Sequence, residues 1–205
     1  MNARMNPISH DWLLARARNP EDDLTRAFAG VIQSALNGAI QPPNRGMGLS
    51  PEKFAGLLEC YFPGSSRELC GDADQESYAA CVSPLAGEFD DMLALLLEHR
   101  SFDAEYNEWL AYAVASGCMG SDHLYHDMGL PDRPALSSLL RRYFTSLFEK
   151  NVHNMKWKKF FYKQLCDRAE VMMCPARNCQ SCIDYMNCFA PGESAPALAM
   201  EEAQR

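Results

Sequence analysis

Four cysteines near the end of the sequence constrain the fold of this chain more than any other feature. Cys174, Cys179, Cys182 and Cys188 have the spacing C-x4-C-x2-C-x5-C within fifteen residues. A loop that short can bring all four sulfur atoms around one point. Thiolates select zinc, copper(I) or an iron–sulfur cluster over hard ions, and the C-x4-C-x2-C core has the spacing of plant-type ferredoxins. The spacing therefore predicts a metal or cluster site and leaves the metal open.

Disulfide bonds are the main alternative for these cysteines. The chain opens with Met-Asn-Ala-Arg-Met-Asn-Pro and shows no apolar stretch of a secretory signal, which predicts a cytoplasmic protein. Reducing conditions in the cytoplasm disfavour a disulfide framework. The total of nine cysteines is odd, which also fits poorly with complete pairing. Metal or cluster binding is the favoured interpretation, and a redox disulfide is the weaker one.

Length and charge exclude several classes of protein. A chain of 205 residues is long enough for one domain with tails. We predict one domain in which residues 1–48 supply the first helices and a loop, residues 49–190 form the core with the motif 174–188, and residues 191–205 are a disordered tail. No apolar run is long enough for a membrane span. The net charge of −8 argues against a nucleic-acid binder.

Apolar residues recur at spacings of three and four along most of the sequence, which predicts helices throughout. Start signals for helices occur at Ser50-Pro51 and at Asp132-Arg-Pro134. The second signal predicts one helix over residues 133–150, and a last long helix is predicted over residues 155–173. No stretch shows convincing strand alternation. The expected fold class is all-α, a single helical domain with a C-terminal cysteine-rich cluster-binding loop.

Three further residues are candidate metal ligands. Cys166 lies eight residues before Cys174 and could approach the cluster as a fifth thiol, although a buried cysteine is the more common outcome for a single thiol. His123, His126 and Asp127 are spaced to share one helix face, where imidazole and carboxylate groups can bind a transition metal. Cys118 lies just upstream and could join that site.

A basic segment leads into the cysteine motif. Residues 133–168 contain nine Lys and Arg residues against two acidic residues. Such a segment could offset the negative charge of an iron–sulfur cluster or attract a small anion, or it could be a solvated helix face. The sequence contains neither G-x-S-x-G nor H-E-x-x-H, so nothing indicates hydrolysis.

Two segments together resemble the NifQ family. The first is residues 155–166, MKWKKFFYKQLC, followed by the four-cysteine motif and Phe189. The second is residues 115–130, which contain the pattern His-Leu-aromatic-x-Asp-x-Gly-Leu from His123 to Leu130. The specific resemblance covers about residues 115–189, and the cysteine spacing shows no departure from the family pattern.

The resemblance implies a role as molybdenum donor in biosynthesis of the nitrogenase iron–molybdenum cofactor. The implied cofactor is an iron–sulfur cluster of the Mo-Fe3-S4 type, or its Fe–S precursor, on Cys174, Cys179, Cys182 and Cys188. The family's histidine falls on His123. The implied partners are molybdate, the NifEN scaffold and the nitrogenase iron protein NifH, with no nucleic acid and no membrane. The chain would be a metal-cluster carrier rather than a turnover enzyme, with a catalytic role in molybdate processing left open.

Two other functions compete with the molybdenum donor. A helical interaction protein could use the four cysteines for a structural zinc site, which would be closed and tetrahedral. An electron-transfer or redox-sensing iron–sulfur protein could use the same ligands without releasing metal. Metal analysis separates the zinc protein from the two iron proteins, and reversible reduction without metal release separates the redox protein from the donor.

Overall fold

The structure, a computed structural model, describes residues 8–40, 45–70, 87–170 and 188. Within these ranges the regular structure is helical, and the β-type pairing is one isolated bridge between Ile40 and Gly120. The predicted all-α fold class is therefore confirmed. The chain divides into two compact units, Met1–Lys150 and Asn151–Arg205. The predicted disordered tail and the loop of Cys174, Cys179 and Cys182 lie outside the described residues.

Nine helices belong to the described part of the first unit. They are α1 His10–Leu14, α2 Asp23–Leu36, α3 Pro51–Tyr61, α4 Ser66–Cys70, α5 Glu88–Glu98, α6 Glu105–Cys118, α7 Leu124–Asp127, α8 Arg133–Tyr143 and α9 Thr145–Lys150. Helix α2 packs against α1, α6, α7 and α8, and α6 also packs against α5 and α7. The core of this unit is therefore built around α2 and α6.

The helix starts follow from local capping chemistry. The Asp22 carboxylate accepts a hydrogen bond from the Thr25 amide at 3.1 Å at the start of α2. Ser50 caps α3 in the same way, ahead of Pro51, and Asp132 caps α8 by accepting from the Ala135 amide at 2.8 Å. Each cap satisfies an amide that would lack a partner in the first helical turn. Both predicted start signals are confirmed.

One predicted helix is divided in two. The expected helix over 133–150 is interrupted at Phe144, which has φ −140° and ψ 51° and separates α8 from α9. Ser101 holds this break, because its amide donates to the Tyr143 carbonyl at 2.9 Å and its hydroxyl accepts from the Thr145 amide at 2.9 Å. The Tyr143 carbonyl and the Thr145 amide, which flank the break, thus have a hydrogen-bond partner outside the two helices.

The second unit contributes α10, Trp157–Arg168, to the described residues. The helix ends earlier than the predicted residue 173. Ala169 is the C-terminal cap, and Glu170 has a φ of 53°, the left-handed conformation that terminates many helices. Trp157, Phe160 and Phe161 are buried and pack their rings on one another with centroids 5.8 Å apart. The apolar side of α10 is therefore the side that carries these three aromatic residues.

Candidate metal centre

The turn that carries His123 is short and exposes two imidazoles. His123 is the N-terminal cap residue of α7, and its carbonyl accepts from the amides of His126 and Asp127 at 2.9 and 3.1 Å. Both histidine side chains are exposed. The ring of His123 is stacked on that of Tyr125, at 5.8 Å and 10°. The ring of His126 meets the same tyrosine edge-on at 5.5 Å, so both imidazoles contact Tyr125.

Asp127 does not present its carboxylate beside the two exposed imidazoles, which differs from the expected common face. The side chain is buried, with 4% of its surface exposed. Its Oδ2 atom accepts a hydrogen bond from the Asp122 amide at 3.2 Å. A Cβ atom on Gly120 would lie 2.5 Å from this carboxylate, so the glycine leaves the space that Asp127 occupies. Asp127 therefore fastens the loop that precedes His123.

Helix α7 is seated directly on α2. A Cβ atom on Gly30 of α2 would overlap the Met128 carbonyl group and the Gly129 amide nitrogen. Gly129 has a φ of 63°, and a Cβ atom there would lie 2.6 Å from the Gly30 Cα atom. The Ser34 hydroxyl adds a hydrogen bond to the Asp127 carbonyl at 2.9 Å. Two glycines thus let the backbones touch, and this contact fixes the turn that carries His123.

Cys118 lies in the last turn of α6 and is 3% exposed. Its thiol is inside the first unit, whereas the His123 imidazole is exposed. The structure therefore places these two predicted ligands in different environments. Burial of this kind agrees with the alternative assignment of Cys118 as a small core residue.

The described end of the cysteine motif lies at the start of α10. The Cys188 carbonyl accepts a hydrogen bond from the Lys156 amide at 3.0 Å, and Lys156 is the N-terminal cap residue of the helix. Cys188 and Cys166 are both partly buried and free of disulfide bonds. Cys174, Cys179 and Cys182 lie outside the described residues, so their geometry with Cys188 stays a prediction.

The first turn of α10 is rich in positive charge. Lys156, Lys158 and Lys159 surround Trp157 in the sequence, and Lys159 is exposed. Further along, Lys163 forms an (i, i+4) ion pair with Asp167 at 2.7 Å. A pair this exposed contributes little to stability, about 0.3–0.5 kcal/mol. The hydrogen bond from the Lys156 amide places Cys188 at the positive end of the helix dipole, where these three lysines occur in the sequence.

No group of three or more His, Cys, Asp or Glu side chains in the described ranges is arranged to hold a metal ion. Three of the four predicted thiolate ligands lie outside those ranges. Among the residues that the structure describes, no helix is long and apolar enough to cross a membrane.

Sequence reasoning missed Gly30, because its importance depends on a contact with residues almost a hundred positions later. The only local signal is a glycine inside the strongly amphipathic α2, where glycine costs about 1 kcal/mol relative to alanine. Such a residue usually has a packing reason.

Comparison with known proteins identifies the family. The NifQ family model matches residues 27–190. Protein NifQ of Azotobacter vinelandii is 35% identical over 169 residues, covering 78% of this chain and 84% of the relative. Protein NifQ of Rhodobacter capsulatus is 34% identical over 173 residues, covering 84% and 91%. No solved structure matches the chain. The chain therefore belongs to the NifQ family, which gives it a role in nitrogen fixation, in biosynthesis of the nitrogenase cofactor.

Proposed function

We propose that this chain carries an iron–sulfur cluster on Cys174, Cys179, Cys182 and Cys188 and donates molybdenum to assembly of the nitrogenase iron–molybdenum cofactor. The hydrogen bond from the Lys156 amide to the Cys188 carbonyl is the observation that carries the proposal. It fastens one end of the four-cysteine motif to the start of a lysine-rich helix. An iron–sulfur cluster with thiolate ligands is anionic, and the N-terminal end of a helix stabilises negative charge because it is the positive end of the helix dipole.

The donor set fits the proposed cofactor. Four thiolates within fifteen residues are the ligands that iron–sulfur clusters take. When bound, a cluster of the Mo-Fe3-S4 type would supply a molybdenum corner that can exchange its ligands. Three of the cysteines would hold iron, and the remaining cysteine is a candidate ligand of molybdenum. Cys166 is a further candidate because it is partly buried on α10 and forms no disulfide.

His123 is the proposed nitrogen ligand of molybdenum. Its ring is exposed, and the turn that bears it is held by the Gly30 contact and by the buried Asp127. A ligand on a rigid turn loses little conformational freedom when it binds metal. Cys118 is the weaker candidate because its thiol is buried.

The matched variants His123→Ala and His126→Ala test this assignment. Both residues lie on the same turn, both are exposed, and both rings contact Tyr125. The proteins are purified anaerobically from molybdate-supplemented cells, and their molybdenum and iron contents are measured. We expect His123→Ala to lower the Mo:Fe ratio while iron is retained, and His126→Ala to stay near the wild-type ratio. An unchanged ratio in His123→Ala would remove that residue from the ligand set.

The proposed partners follow from the family assignment. Molybdate is the proposed source of molybdenum, and the NifEN scaffold with the iron protein NifH is the proposed recipient. In this proposal the chain is a carrier and not a turnover enzyme. Incubation of the loaded protein with apo-scaffold, followed by separation, should move molybdenum to the scaffold in at most one equivalent per chain. Release of molybdenum that does not require the scaffold would contradict the donor role.

A further inference from the structure

A polar depression in the first unit is lined by residues other than the predicted ligands. It has a volume of about 380 Å³ and lies between the residues after α5 and the residues of α9; we call it the α5–α9 notch. Its lining consists of His99, Arg100, Ser101, Thr145, Ser146 and Glu149. Every one of these side chains is polar or charged, so the notch suits a charged ligand rather than an apolar one.

Ser101 and Thr145 form a fixed wall of the notch. The Thr145 hydroxyl donates its single proton to the Arg141 carbonyl at 2.8 Å. The contact of 3.0 Å between the two hydroxyl oxygens therefore requires Ser101 to donate to Thr145. The Ser101 oxygen also accepts from the Thr145 amide at 2.9 Å. Both hydroxyl protons are thus used within the protein, and neither serves a ligand.

The neighbouring hydrogen bonds determine the tautomer of His99. Lys150 Nζ lies 3.1 Å from His99 Nε2, and His99 Nδ1 lies 2.8 Å from Ser146 Oγ. A lysine ammonium group can only donate, so Nε2 accepts and Nδ1 carries the proton of the neutral ring. His99 therefore donates to Ser146. The Ser146 hydroxyl proton then points away from His99, and the imidazole cannot act as the base that would activate a serine nucleophile.

The hydrogen-bond donors that remain suit an anion better than a metal ion. In the lining they are the Ser146 hydroxyl proton and the part of the Arg100 guanidinium beyond its 2.6 Å bond to Asp103. The other N–H groups of Lys150 lie next to the lining, at His99. Both His99 nitrogens are already engaged, and Glu149 is the one carboxylate in the lining. A hard or borderline metal ion would find too few ligands there.

We propose that the α5–α9 notch binds a small tetrahedral oxyanion. In the lining, Arg100 offers a planar fork of donors and Ser146 offers a neutral donor. Lys150 offers a point charge beside the lining, at His99, and groups of these three kinds recognise phosphate-like anions. Glu149 opposes binding because its carboxylate repels the anion. This proposal does not rest on the cysteine motif or on the proposed function.

Binding is tested by isothermal titration of the full chain with sodium molybdate and, separately, sodium phosphate at low ionic strength. Arg100→Gln and Lys150→Gln each remove one charge, and the glutamine amide at 150 keeps a donor toward His99 Nε2. Each should weaken binding about tenfold, the effect of one lost charge-assisted hydrogen bond. Glu149→Gln should strengthen binding of both anions. Arg18→Gln, which removes an exposed arginine that pairs with Glu59 instead, is the matched control and should leave binding unchanged.

The opposite signs make the outcome decisive. Weaker binding in Arg100→Gln with stronger binding in Glu149→Gln supports the proposal, and the ratio of molybdate to phosphate affinity says whether the site distinguishes the two anions. Equal affinities in wild type, Arg100→Gln and Glu149→Gln would overturn it, as would the lack of binding of either anion at millimolar concentration. A helical circular dichroism spectrum unchanged from the wild type is required of each variant that is compared.

Discussion

The contact between α2 and α7 makes a specific prediction for the substitution Gly30→Ala. The added methyl group would overlap the Met128 carbonyl and the Gly129 amide nitrogen, which are backbone atoms. No side-chain rotation can relieve that overlap, so α7 has to move away from α2. Overpacking of this kind costs about 1–3 kcal/mol, and we expect the upper end because the obstacle is backbone.

The gain in helix propensity offsets only part of this cost. Replacement of glycine by alanine inside a helix stabilises by about 1 kcal/mol, which leaves a net loss of about 2 kcal/mol for Gly30→Ala. For a chain of this size that loss corresponds to a decrease in Tm of about 4–8 °C. Thermal unfolding followed by far-ultraviolet circular dichroism, with reductant present, measures it directly.

Gly56→Ala is the matched control because Gly56 also lies inside a helix of the same unit. The nearest atom to a Cβ at this position belongs to Trp109, at 3.6 Å, which is an ordinary contact. The propensity gain should therefore appear undiminished, raising Tm by about 2–4 °C. Equal shifts of the same sign in the two variants would refute the argument that backbone contact at Gly30 seats α7.

The remaining predictions concern the turn, the core and the cysteine motif. Asp127→Ala should lower the free energy of unfolding by about 1–3 kcal/mol in urea denaturation, because the Asp122 amide loses its buried acceptor; Asp127→Asn should lose less, and equal losses would contradict this role. Burial raises the pKa of Tyr61 above its usual range. The contribution of Tyr61 to the free energy of unfolding is therefore complete below pH 10, about the pKa of tyrosine in the unfolded chain, and is lost as the pH rises above that value. Tyr61→Phe should accordingly lose less stability than wild type between about pH 10 and 11, and identical pH profiles would contradict this. Cys182→Ala should lower the iron content of anaerobically purified protein, whereas Cys60→Ala should not; full iron retention in Cys182→Ala removes that residue as a ligand.

Features that depend on neighbouring residues were predictable from the sequence. The start of α3 at Ser50-Pro51 and the start of α8 at Asp132 follow from one side chain and the amide three residues later. The all-α class follows from repeated apolar spacing in the same way. These signals are local, so a single sequence contains them.

Features that depend on distant residues were not predictable. The break at Phe144 requires Ser101, which is 44 residues before its partner Thr145. The α5–α9 notch requires His99 to meet Ser146 and Lys150, which follow it by 47 and 51 residues. The seat of α7 on α2 requires Gly30 to contact Met128, which follows it by 98 residues. In each case the two partners are far apart in the sequence, so no local pattern indicates the contact.

The candidate site shows the same division. Its histidine turn was expected near His123, and the structure places a short helix there with both imidazoles exposed. The contact of Cys188 with the start of α10 was not expected, because it joins residues 32 positions apart. The ligand role of the four cysteines stays a prediction from their spacing and from the family.

Metal and acid-labile sulfide analysis of the wild-type chain, purified anaerobically from molybdate-supplemented cells, tests the central proposal most directly. The proposed cluster predicts molybdenum with about three irons per chain, together with acid-labile sulfide. One zinc per chain without iron or sulfide would contradict it, and would make the four cysteines a structural site instead.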